Sequence, residues 1–468
     1  MVIRRILIAN RGEIAARILR TCRALGIETV LAVSAADRDS EPARMAHRVV
    51  CIGPARATES YLNVEAIVHA ASALRVDAIH PGYGFLSERA ALPRLCEAAG
   101  IVFIGPTADQ IDAVGDKLRA RAEAEAAQVP VVPGGAANTL AEARVLAEKI
   151  GTPLLVKAVG GGGGRGMKRV DRIEDLAASL DLAAAEAGAA FGDARVYLER
   201  FVAGGRHVEV QVLGDGKGRV IQAGERDCSV QRRYQKLIEE TPAPGLSPAL
   251  RDSLQQAAVR FAQRLAYRGA GTVEFIVDTG REAFYFLEMN ARIQVEHPVT
   301  EAVTGIDLIA EQIAIAEGTE LRLAQSDVRT NGCAIECRVN AEDHRNDFRP
   351  SPGRVREVSW PSGEGIRVDT HVVAGSNIPP FYDSLMAKII AHGSDRASAL
   401  ARLQAAVGAT CIRGVVSNLE FHSAALDDPE FRAGGVDTGF VDRLFARRPE
   451  LCVRPVPQVR EGEIGAHG

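Results

Sequence analysis

Five polar residues occupy every second position after a short apolar run in the second half of the chain. The apolar run, residues 284–287, is typical of a buried strand. The polar residues are Glu288, Asn290, Arg292, Gln294 and Glu296. Strand side chains alternate between faces, so an extended backbone would place all five on one face. Two carboxylates, two amides and a guanidinium on one face could bind a hard cation, hold an anion and supply a base.

A further carboxylate is expected to face Glu288 across a hairpin. Residues 272–277 favour a strand and residues 278–282 favour a turn. If the loop comprises residues 280–282, Glu274 lies directly opposite Glu288, with Cβ atoms roughly 4.5–5.5 Å apart. Like charges so placed destabilise a sheet unless a cation lies between them, and Mg²⁺ prefers such oxygen ligands. The alternative is an ordinary solvated strand face, which is common in sheets with one wet side.

Composition excludes several classes of partner and environment. The 468 residues are 47% hydrophobic and 25% charged, which is typical of a soluble globular chain of about three domains. A net charge of −4 gives no reason to expect nucleic acid or an anionic membrane surface as a partner. The N-terminus enters a strand without a signal peptide, and no apolar run reaches transmembrane length. Eight scattered cysteines without a CxxC pair favour reduced thiols in a cytoplasmic protein.

The first 113 residues alternate apolar strand patterns with amphipathic helix patterns. Strands are predicted at 6–9, 29–33, 49–52, 77–80 and 101–104, and helices at 13–25, 64–74 and 88–99. This alternation favours a parallel sheet with helices on both faces, a Rossmann-like layer. The turn after the first strand has one glycine where a dinucleotide fingerprint needs three, so the layer is expected to lack its usual cofactor.

The rest of the chain mixes helices and strands. A helix over 107–127 is predicted to lead to a hinge-like break at 129–135, followed by a helix at 139–150, a strand at 154–158, a helix at 173–188 and a strand at 196–201. Strands at 207–213 and 219–224 precede a helix at 248–266, the hairpin, and a helix that begins near Ile306. The last part is predicted to contain strands at 333–339, 354–358, 366–372 and 385–392, helices at 395–408 and 417–426, and a frayed tail.

A run of five glycines, Gly160–Gly164, follows an apolar strand that contains Lys157. Such a run carries a heavy entropic penalty unless the loop moves or lets the backbone approach a ligand. Successive amides without side chains can surround phosphate oxygens, although the absence of Gly-Lys-Ser/Thr excludes a Walker A loop. A flexible lid over phosphates is therefore favoured over a linker. Lys157 and Lys117 are candidate phosphate partners, although Lys117 alone would be interpreted as a surface lysine.

Two further segments have weaker signals. Residues 199–202 end a strand, where a carboxylate and exposed backbone could bind an adenine amine and ribose hydroxyls. Residues 225–236 end with three cations in five positions, Arg232, Arg233 and Lys236. These cations indicate either a solvated basic face or a pocket for a small anion.

Ordered motifs over roughly residues 3–445 resemble the biotin carboxylase family of ATP-grasp enzymes. The matching segments are Ile8–Ile14, His80–Glu88, Gly160–Met167, Arg206–Gln211, Glu225–Lys236, Glu288–Thr300 and Glu336–Glu342. The resemblance implies an α/β and α+β chain in four parts. These are a Rossmann-like N-terminal domain at 1–113, an ATP-grasp domain at 114–330 with a mobile lid at about 131–203, a C-terminal biotin-carboxylase domain at 331–446 and a tail at 447–468.

The resemblance also implies roles for individual residues. Its cofactor-binding positions fall on Lys117, Lys157, Gly163, Gly164, Glu199, Arg200, Phe201, Val202, His207, Gln231 and Tyr234. Its metal positions fall on Glu274, Glu288 and Asn290, its bicarbonate positions on Lys236, Arg292, Gln294 and Val295, its general base on Glu296 and its biotin contact on Arg338. Tyr234 departs from the histidine usual in this family and cannot carry a positive charge. Arg200 replaces a common lysine.

The implied reaction is ATP- and bicarbonate-dependent carboxylation of biotin through carboxyphosphate, with Mg²⁺ or Mn²⁺. The resemblance implies the biotin carboxylase subunit of an acetyl-CoA carboxylase-type enzyme, and a homodimer. The chain has no Ala-Met-Lys-Met-type biotin-attachment segment, so the biotin carboxyl carrier protein and the carboxyltransferase are expected on separate polypeptides. The final acceptor, whether acetyl-CoA, another acyl-CoA or another compound, is not encoded in these motifs.

Three other functions remain as alternatives. The first is another ATP-grasp ligase that joins a carboxylate to an amine, which residues 294–298 and Arg338 disfavour. The second is a dinucleotide-dependent oxidoreductase, which the missing glycines after the first strand disfavour. The third is an inactive interaction subunit, which the intact set of Glu274, Glu288, Arg292 and Glu296 disfavours.

Overall fold

The structure, a computed structural model, describes residues 2–137, 139–160 and 167–452. Gly163, Gly164 and the end of the tail lie outside the described residues. The described chain contains a parallel sheet near its N-terminus, a small four-stranded unit, and one long antiparallel sheet that runs to the C-terminal part. The predicted mixture of α/β and α+β architecture is confirmed.

The N-terminal region is built on a five-stranded parallel sheet in the order β3-β2-β1-β4-β5. Its strands are β1 (Arg5–Ile8), β2 (Glu28–Ser34), β3 (Arg48–Gly53), β4 (Ala78–His80) and β5 (Val102–Phe103). Its helices are α1 (Gly12–Ala24), α2 (Glu41–Met45), α3 (Val64–Ala73), α4 (Ala91–Ala98) and α5 (Ala108–Gly115). Leu7, Val30 and Ile79 are buried, because helices cover the sheet as the alternating pattern predicted.

The segment predicted as one helix over 107–127 is two helices, α5 and α6 (Lys117–Ala126). The prediction is wrong at Asp116, whose backbone is extended and whose carboxylate accepts hydrogen bonds from the N–H groups of Leu118 and Arg119. An aspartate at this position satisfies donors that a new helix would otherwise leave unpaired. The break places Lys117 in the first turn of α6, with its side chain only 12% exposed.

Residues 134–200 form a small unit around a four-stranded sheet in the order β6-β9-β7-β8. Its elements are β6 (Gly134–Ala136), α7 (Leu140–Ile150), β7 (Leu154–Ala158), β8 (Met167–Val170), α8 (Leu176–Phe191) and β9 (Val196–Arg200). Val156, Leu176 and Leu198 belong to a hydrophobic cluster that this unit keeps to itself. A separate core is compatible with the lid predicted at about 131–203. That this unit acts as a lid stays a prediction.

An eight-stranded sheet organises the rest of the chain, in the order β14-β13-β10-β11-β12-β15-β22-β20. The central elements are β10 (Arg206–Asp215), β11 (Val220–Arg232), β12 (Gln235–Thr241), α9 (Pro248–Arg264), β13 (Arg268–Asp278), β14 (Ala283–Asn290), α10 (His297–Thr304) and α11 (Leu308–Ala316). The C-terminal strands are β15 (Cys333–Asn340), β16 (Glu342–Asp343), β17 (Arg349–Pro350), β18 (Gly353–Arg354), β19 (Glu357–Ser359), β20 (Ile366–Thr370), β21 (Asn377–Ile378), β22 (Leu385–Gly393) and β23 (Cys411–Arg413). The C-terminal helices are α12 (Arg396–Ala409), α13 (Leu419–Asp427), α14 (Pro429–Ala433) and α15 (Phe440–Arg447).

Several boundaries in this sheet differ from the predictions. The strand predicted to end at residue 224 continues to Arg232 and is followed by β12, which was missed. The strand predicted over 354–358 is two short strands, β18 and β19. β11 carries buried polar residues such as Arg226. These residues interrupt the apolar sequence pattern, although the strand itself continues through them. Predicting strands from the pattern of apolar and polar residues fails where a strand buries charged side chains.

The long sheet continues across the boundary predicted at residues 330/331. β12 pairs with β15, and Glu239 lies opposite Glu336. The predicted ATP-grasp and C-terminal domains therefore share one sheet, with three C-terminal strands added to its edge. The domain limits themselves stay predictions.

Helix length and cysteine state can also be compared with the sequence-based expectations. None of the described helices is long and apolar enough to cross a membrane. All eight cysteines are described, and each is a free thiol. The free thiols agree with the expectation of reduced cysteines.

His80, at the end of β4, is a fully buried and neutral histidine. Its Nδ1 accepts a hydrogen bond from the N–H of Gly82 at 3.0 Å, so this nitrogen carries no proton. Burial, reinforced by the charge of Arg17, lowers the pKa of His80 to about 3. The folded chain therefore resists protonation of a ring that the unfolded chain protonates near pH 6.5.

We expect His80 to make folding less favourable as the pH falls below about 6.5, at roughly 1.4 kcal/mol per pH unit, because only the unfolded chain then binds the proton. His80→Asn offers an acceptor oxygen to Gly82 and has no ring to titrate. The melting temperature of this variant should change less than that of the wild type between about pH 6.5 and about pH 4.5. Thermal denaturation across that range is the measurement, and parallel pH profiles would contradict the prediction.

Candidate active site

The hairpin of β13 and β14 places Glu274 opposite Glu288, as predicted. The predicted three-residue loop is wrong, because Asp278 pairs with Ala283 and the loop therefore spans residues 279–282. A bulge next to Glu274 then shifts the register by one residue. The extra loop residue shifts the strand register by one, and the bulge shifts it back by one. Glu274 therefore still faces Glu288, as the shorter loop predicted.

Three glutamates lie side by side on three neighbouring strands. Glu209 on β10 lies opposite Glu274 on β13, and Glu274 lies opposite Glu288 on β14. We call this set the carboxylate row. Such a row is unfavourable unless cations neutralise it. One cation is Arg226 on β11, fully buried opposite Glu209, whose Nε donates to Glu209 Oε1 at 2.6 Å.

Lys236 on β12 places a second cation at the carboxylate row. Its Nζ lies 2.5 Å from Glu209 Oε2, 2.7 Å from Glu296 Oε1 and 3.0 Å from Glu274 Oε1. Burial opposes the charged form, but these carboxylates outweigh burial and raise the pKa of Lys236 well above its ordinary value. Burial likewise opposes ionisation of Glu274, but Lys236 and His207 lower the pKa of Glu274 below its ordinary value. One ammonium group thus joins carboxylates from two strands and a loop.

Glu296 is fully buried, and both of its oxygens contact cations. Oε1 accepts from Lys236, and Oε2 accepts from Arg338 Nη2 at 2.9 Å. Burial alone would raise the pKa of Glu296, but Lys236 and Arg338 lower it well below the ordinary value. Arg338 is held from its other side by Glu239 Oε1, 2.5 Å from Nε, and burial raises the pKa of Glu239 to about 7. The Glu296 carboxylate is therefore charged and oriented, as a base must be.

The polar residues that follow β14 converge, although the strand itself ends at Asn290. The prediction of one extended run is wrong, because the backbone bends before α10 begins. Arg292 nevertheless donates to Asn290 Oδ1 at 2.8 Å and to Gln294 Oε1 at 2.7 Å. Gln294 in turn donates to Glu274 Oε1 at 3.1 Å. Side-chain hydrogen bonds thus bring together what strand alternation was expected to align.

Glu88 anchors this loop from the N-terminal region. It lies in the turn that follows β4, at the carboxyl edge of the parallel sheet, where open α/β sheets present their ligand sites. Its Oε1 accepts from the N–H of Ala291 at 3.0 Å, and its Oε2 accepts from Arg292 Nε at 2.8 Å. The guanidinium of Arg292 is therefore held on several sides by protein groups.

Only one of the three cations predicted near residue 234 reaches the carboxylate row. Lys236 points inward, whereas Arg232 and Arg233 both pair with Asp347, Arg232 at 2.9 Å. Arg232 and Arg233 therefore lie toward the surface, whereas an anion pocket at Lys236 stays a prediction. Arg233 and Tyr234 form the two-residue turn between β11 and β12, with φ values of 51° and 65°. Tyr234 is 53% exposed at the tip of this hairpin.

Two lysines predicted to bind phosphate already have carboxylate neighbours. Lys157 Nζ lies 2.7 Å from Glu199 Oε1, and both side chains are buried. Burial opposes the charged form, but Glu199 raises the pKa of Lys157 above its ordinary value. Lys117 Nζ lies 4.0 Å from Glu288 Oε2, and burial lowers its pKa. Both ammonium groups therefore approach the region between the small unit and the carboxylate row.

The other predicted cofactor-binding residues divide into two groups. His207 joins the carboxylate row, with Nε2 3.1 Å from Glu274 Oε2, and Gln231 is buried on β11. At the end of β9, Arg200 donates to the hydroxyl of Tyr285 at 3.1 Å. The ring of Phe201 faces the guanidinium of Arg169. The predicted residues Phe201, Val202 and Val295 are all half-buried. The structure does not bring Arg200 or Phe201 onto the carboxylate row within the described contacts.

Glu274, Glu288 and Asn290 have the donor atoms that a divalent cation needs. Asn290 Nδ2 donates to Glu274 Oε1 at 2.8 Å, and Glu288 lies directly opposite Glu274 on the neighbouring strand. Burial, together with the charge of Glu274, raises the pKa of Glu288. A cation bound between the two carboxylates would relieve that repulsion. The oxygen-rich donor set fits Mg²⁺ or Mn²⁺.

Sequence reasoning missed four residues that shape the site: Glu88, Glu209, Arg226 and Glu239. Glu209 follows His207 by two positions on β10, and Glu239 lies three positions after Lys236 on β12. Charged residues inside segments that the sheet fully buries are the signal that could have found Glu209, Arg226 and Glu239, whereas Glu88 lies exposed in a turn. That signal requires knowing which strands are central, which pattern alone does not show.

Three family models match the chain. They are described as "Biotin carboxylase, N-terminal domain" over residues 2–111, "Carbamoyl-phosphate synthase L chain, ATP binding domain" over residues 116–324, and "Biotin carboxylase C-terminal domain" over residues 336–443. Together the matches span most of the described chain.

Curated relatives and solved structures are similar over nearly the whole chain. Biotin carboxylase of Nostoc sp. is 50% identical over 94% of this chain and 99% of its own length, and biotin carboxylase 1 of Bacillus subtilis is 48% identical over 94% and 98%. A biotin carboxylase–β,γ-ATP complex from Campylobacter jejuni superposes with a TM-score of 0.92 at 43% identity, covering 94% of this chain and 99% of that one. The biotin carboxylase domain dimer of Hydrogenobacter thermophilus 2-oxoglutarate carboxylase, with MgADP, ADP and bicarbonate, also gives 0.92, at 42% identity over 96% and 99%.

Arg226 and Arg232 lie on the same strand but differ in burial. Arg226 donates to four buried side chains: Glu209, Gln211, Thr272 and Thr300. Arg226→Met should lower the free energy of unfolding by about 3–5 kcal/mol, because the buried Glu209 loses one of its two cationic partners and three buried polar side chains lose their donor. Arg232→Met should lower it by about 0–1 kcal/mol, because that ion pair is close to solvent. Thermal and chemical denaturation compare the two variants, and equal losses would contradict the assigned role of Arg226.

Proposed function

Because the chain belongs to the biotin carboxylase family, whose reaction is the ATP-dependent carboxylation of biotin, we propose that the cluster of Lys236, Glu296 and Arg338 performs this reaction here. The observation that carries the proposal is a buried, charged carboxylate, Glu296, held between two cations beside an oxygen-rich cation site. A base, an anion site and a cation site within one cluster are what the activation of bicarbonate by ATP requires.

Bicarbonate is a weak nucleophile, so its proton must be removed as it attacks the γ-phosphorus and displaces ADP. Arg292 and Lys236 would hold the anion, together with the side chain of Gln294 and the backbone of Val295. Glu296 would accept the proton. Its pKa is low while it contacts Lys236 and Arg338, and a second anion bound to Lys236 would raise the pKa of Glu296 toward a more basic range. The substrate itself would thus make the base competent.

The nucleotide would lie between the small unit and the carboxylate row. Lys117, Lys157 and His207 would contact its phosphates, with the glycine run that includes Gly163 and Gly164 closing over them. Residues 199–202, with Gln231 and Tyr234, would surround the remainder of the nucleotide. A divalent cation on Glu274, Glu288 and Asn290 would supply charge neutralisation for the phosphates. A closed lid would keep water from carboxyphosphate.

Arg338 would serve the second part of the reaction. Carboxyphosphate would release CO₂ and phosphate, and the phosphate would remove the proton from the ureido nitrogen of biotin, so that this nitrogen can attack the carbon of CO₂ and form carboxybiotin. The ureido oxygen then develops negative charge, which the guanidinium of Arg338 would stabilise in an oxyanion role. Glu239, bonded to the other side of Arg338, keeps that guanidinium directed toward Glu296.

We further propose the partners that the family implies. The carboxylated biotin would be carried on a biotin carboxyl carrier protein and passed by a carboxyltransferase to an acyl-CoA, as in acetyl-CoA carboxylases that supply fatty acid synthesis, in the cytoplasm. The dimer of the Hydrogenobacter thermophilus domain supports a homodimer here.

Glu296→Gln should lower biotin carboxylation by roughly 10²- to 10⁴-fold, because the amide accepts no proton, while ATP affinity changes little. Incorporation of labelled bicarbonate into biotin measures the first quantity, and calorimetric titration with ATP measures the second. Glu240→Gln is the matched control, because Glu240 also lies on the long sheet and is buried but bonds to Arg396 at 2.6 Å. Wild-type turnover in Glu296→Gln would refute the assignment of the base.

Glu288→Gln should raise the Mg²⁺ concentration that gives half-maximal turnover by roughly tenfold or more, since one ligand charge is lost. Glu282→Gln, in the exposed turn of the same hairpin, is the control and should leave this concentration unchanged. The measurement is the rate of ADP formation over a Mg²⁺ titration at fixed ATP. The metal assignment fails if both variants give the wild-type titration curve.

A further inference from the structure

Lys388 is a fully buried cation that the proposed chemistry does not use. It lies on β22, directly opposite Arg338 on β15, so both side chains occupy the same face of the long sheet. Two cations at facing positions repel each other, and a buried ammonium is unfavourable without partners. Its position behind the active site therefore needs a physical reason.

The contacts of Lys388 supply that reason. Its Nζ donates to the carbonyl oxygen of Val295 at 2.8 Å and lies 3.1 Å from Glu13 Oε1. Glu13 is in the first turn of α1 and is itself buried, where it also accepts a hydrogen bond from the hydroxyl of Tyr83. Lys388 thus connects the N-terminal region, the C-terminal strands and the loop between β14 and α10.

The carbonyl of Val295 belongs to the peptide bond that leads into Glu296. Fixing that peptide plane fixes the backbone from which the Glu296 side chain projects. The preceding peptide is also held, because the Gln294 carbonyl lies 2.8 Å from His297 Nδ1. Arg338 Nη2 lies 2.9 Å from the Glu296 carboxylate. Lys388, its neighbour on the sheet, binds the carbonyl of Val295 and so holds the backbone that leads into Glu296.

We propose that Lys388 is a positioning residue for Glu296, and that Glu13 is the counterion that keeps the Lys388 ammonium in place. The role rests on the proposed assignment of Glu296 as the base. A displacement of about 1 Å in a reacting group can lower a rate about 10²-fold. Loss of the single hydrogen bond from Lys388 to the Val295 carbonyl can therefore slow the reaction by displacing Glu296.

Four variants separate positioning from stability. Lys388→Met and Glu13→Gln each break the pair, the double variant removes both partners, and Arg396→Met is the control. Arg396 is a cation near the same sheet that also binds a carboxylate, Glu240, and a carbonyl, that of Phe431. Breaking one partner of a buried pair is destabilising, and removing both is less so, so the double variant should recover melting temperature relative to Lys388→Met.

Turnover should behave differently. We expect Lys388→Met to lower kcat about 10- to 100-fold with the KM for ATP changed less than about threefold, and the double variant to remain slow although its melting temperature recovers. Arg396→Met should lose melting temperature with kcat close to wild type. Recovery of kcat together with melting temperature in the double variant would reduce Lys388 to a structural ion pair and overturn the proposal.

Hydrogen exchange tests the same point without using activity. Amides of residues 291–297 should exchange faster in Lys388→Met and in the double variant than in wild type or Arg396→Met. Unchanged exchange in this loop would overturn the proposal. If wild type shows no biotin-dependent turnover, the proposed function fails, whereas the exchange comparison still decides whether Lys388 holds the loop.

Discussion

The ammonium of Lys236 is the interaction on which the rest of the site depends. It lies within 3.0 Å of oxygens from Glu209, Glu274 and Glu296, all of them buried. Without it, neighbouring carboxylates on adjacent strands would repel one another in a medium that screens charge poorly. The sheet can therefore hold this density of acid because β12 places Lys236, and β11 places Arg226, beside the carboxylates. An anionic substrate that binds Lys236 would weaken its attraction to these carboxylates and thereby raise the pKa of Glu296.

Three parts of the chain meet at this cluster. The long sheet supplies the carboxylate row, Lys236 and Arg338. The N-terminal region supplies Glu88 and Glu13, which reach the loop between β14 and α10 directly or through Lys388. Because β15 pairs with β12, the C-terminal strands extend the ATP-grasp sheet and do not form an independent layer. The geometry of the proposed base is thus shared by all three regions.

Local patterns predicted the features that depend on neighbouring residues. The parallel N-terminal layer followed from the alternation of strand and helix patterns, and the facing of Glu274 and Glu288 followed from hairpin pairing. That pairing was right although the loop was wrong, because a bulge offset the extra loop residue. The break at Asp116 was missed because one capping aspartate ended a continuous helical pattern. Boundaries were therefore less predictable than the existence of the elements.

Features that depend on distant residues were not readable from patterns. Glu209 becomes part of the site because β10 lies between β13 and β11, and Lys388 because β22 lies beside β15. Arg232, Arg233 and Lys236 looked equivalent in sequence, and only the turn at Arg233 and Tyr234 separates one inward cation from two outward ones. The family resemblance supplied roles for many of these positions without supplying their contacts.

The most direct test of the central claim is ADP release by the purified chain with MgATP, measured with and without bicarbonate and with and without free biotin. We expect release that is stimulated only when bicarbonate and biotin are both present. ATP hydrolysis indifferent to biotin would contradict this expectation. That result would leave the ATP-grasp architecture in place and assign the chain to another ligase reaction.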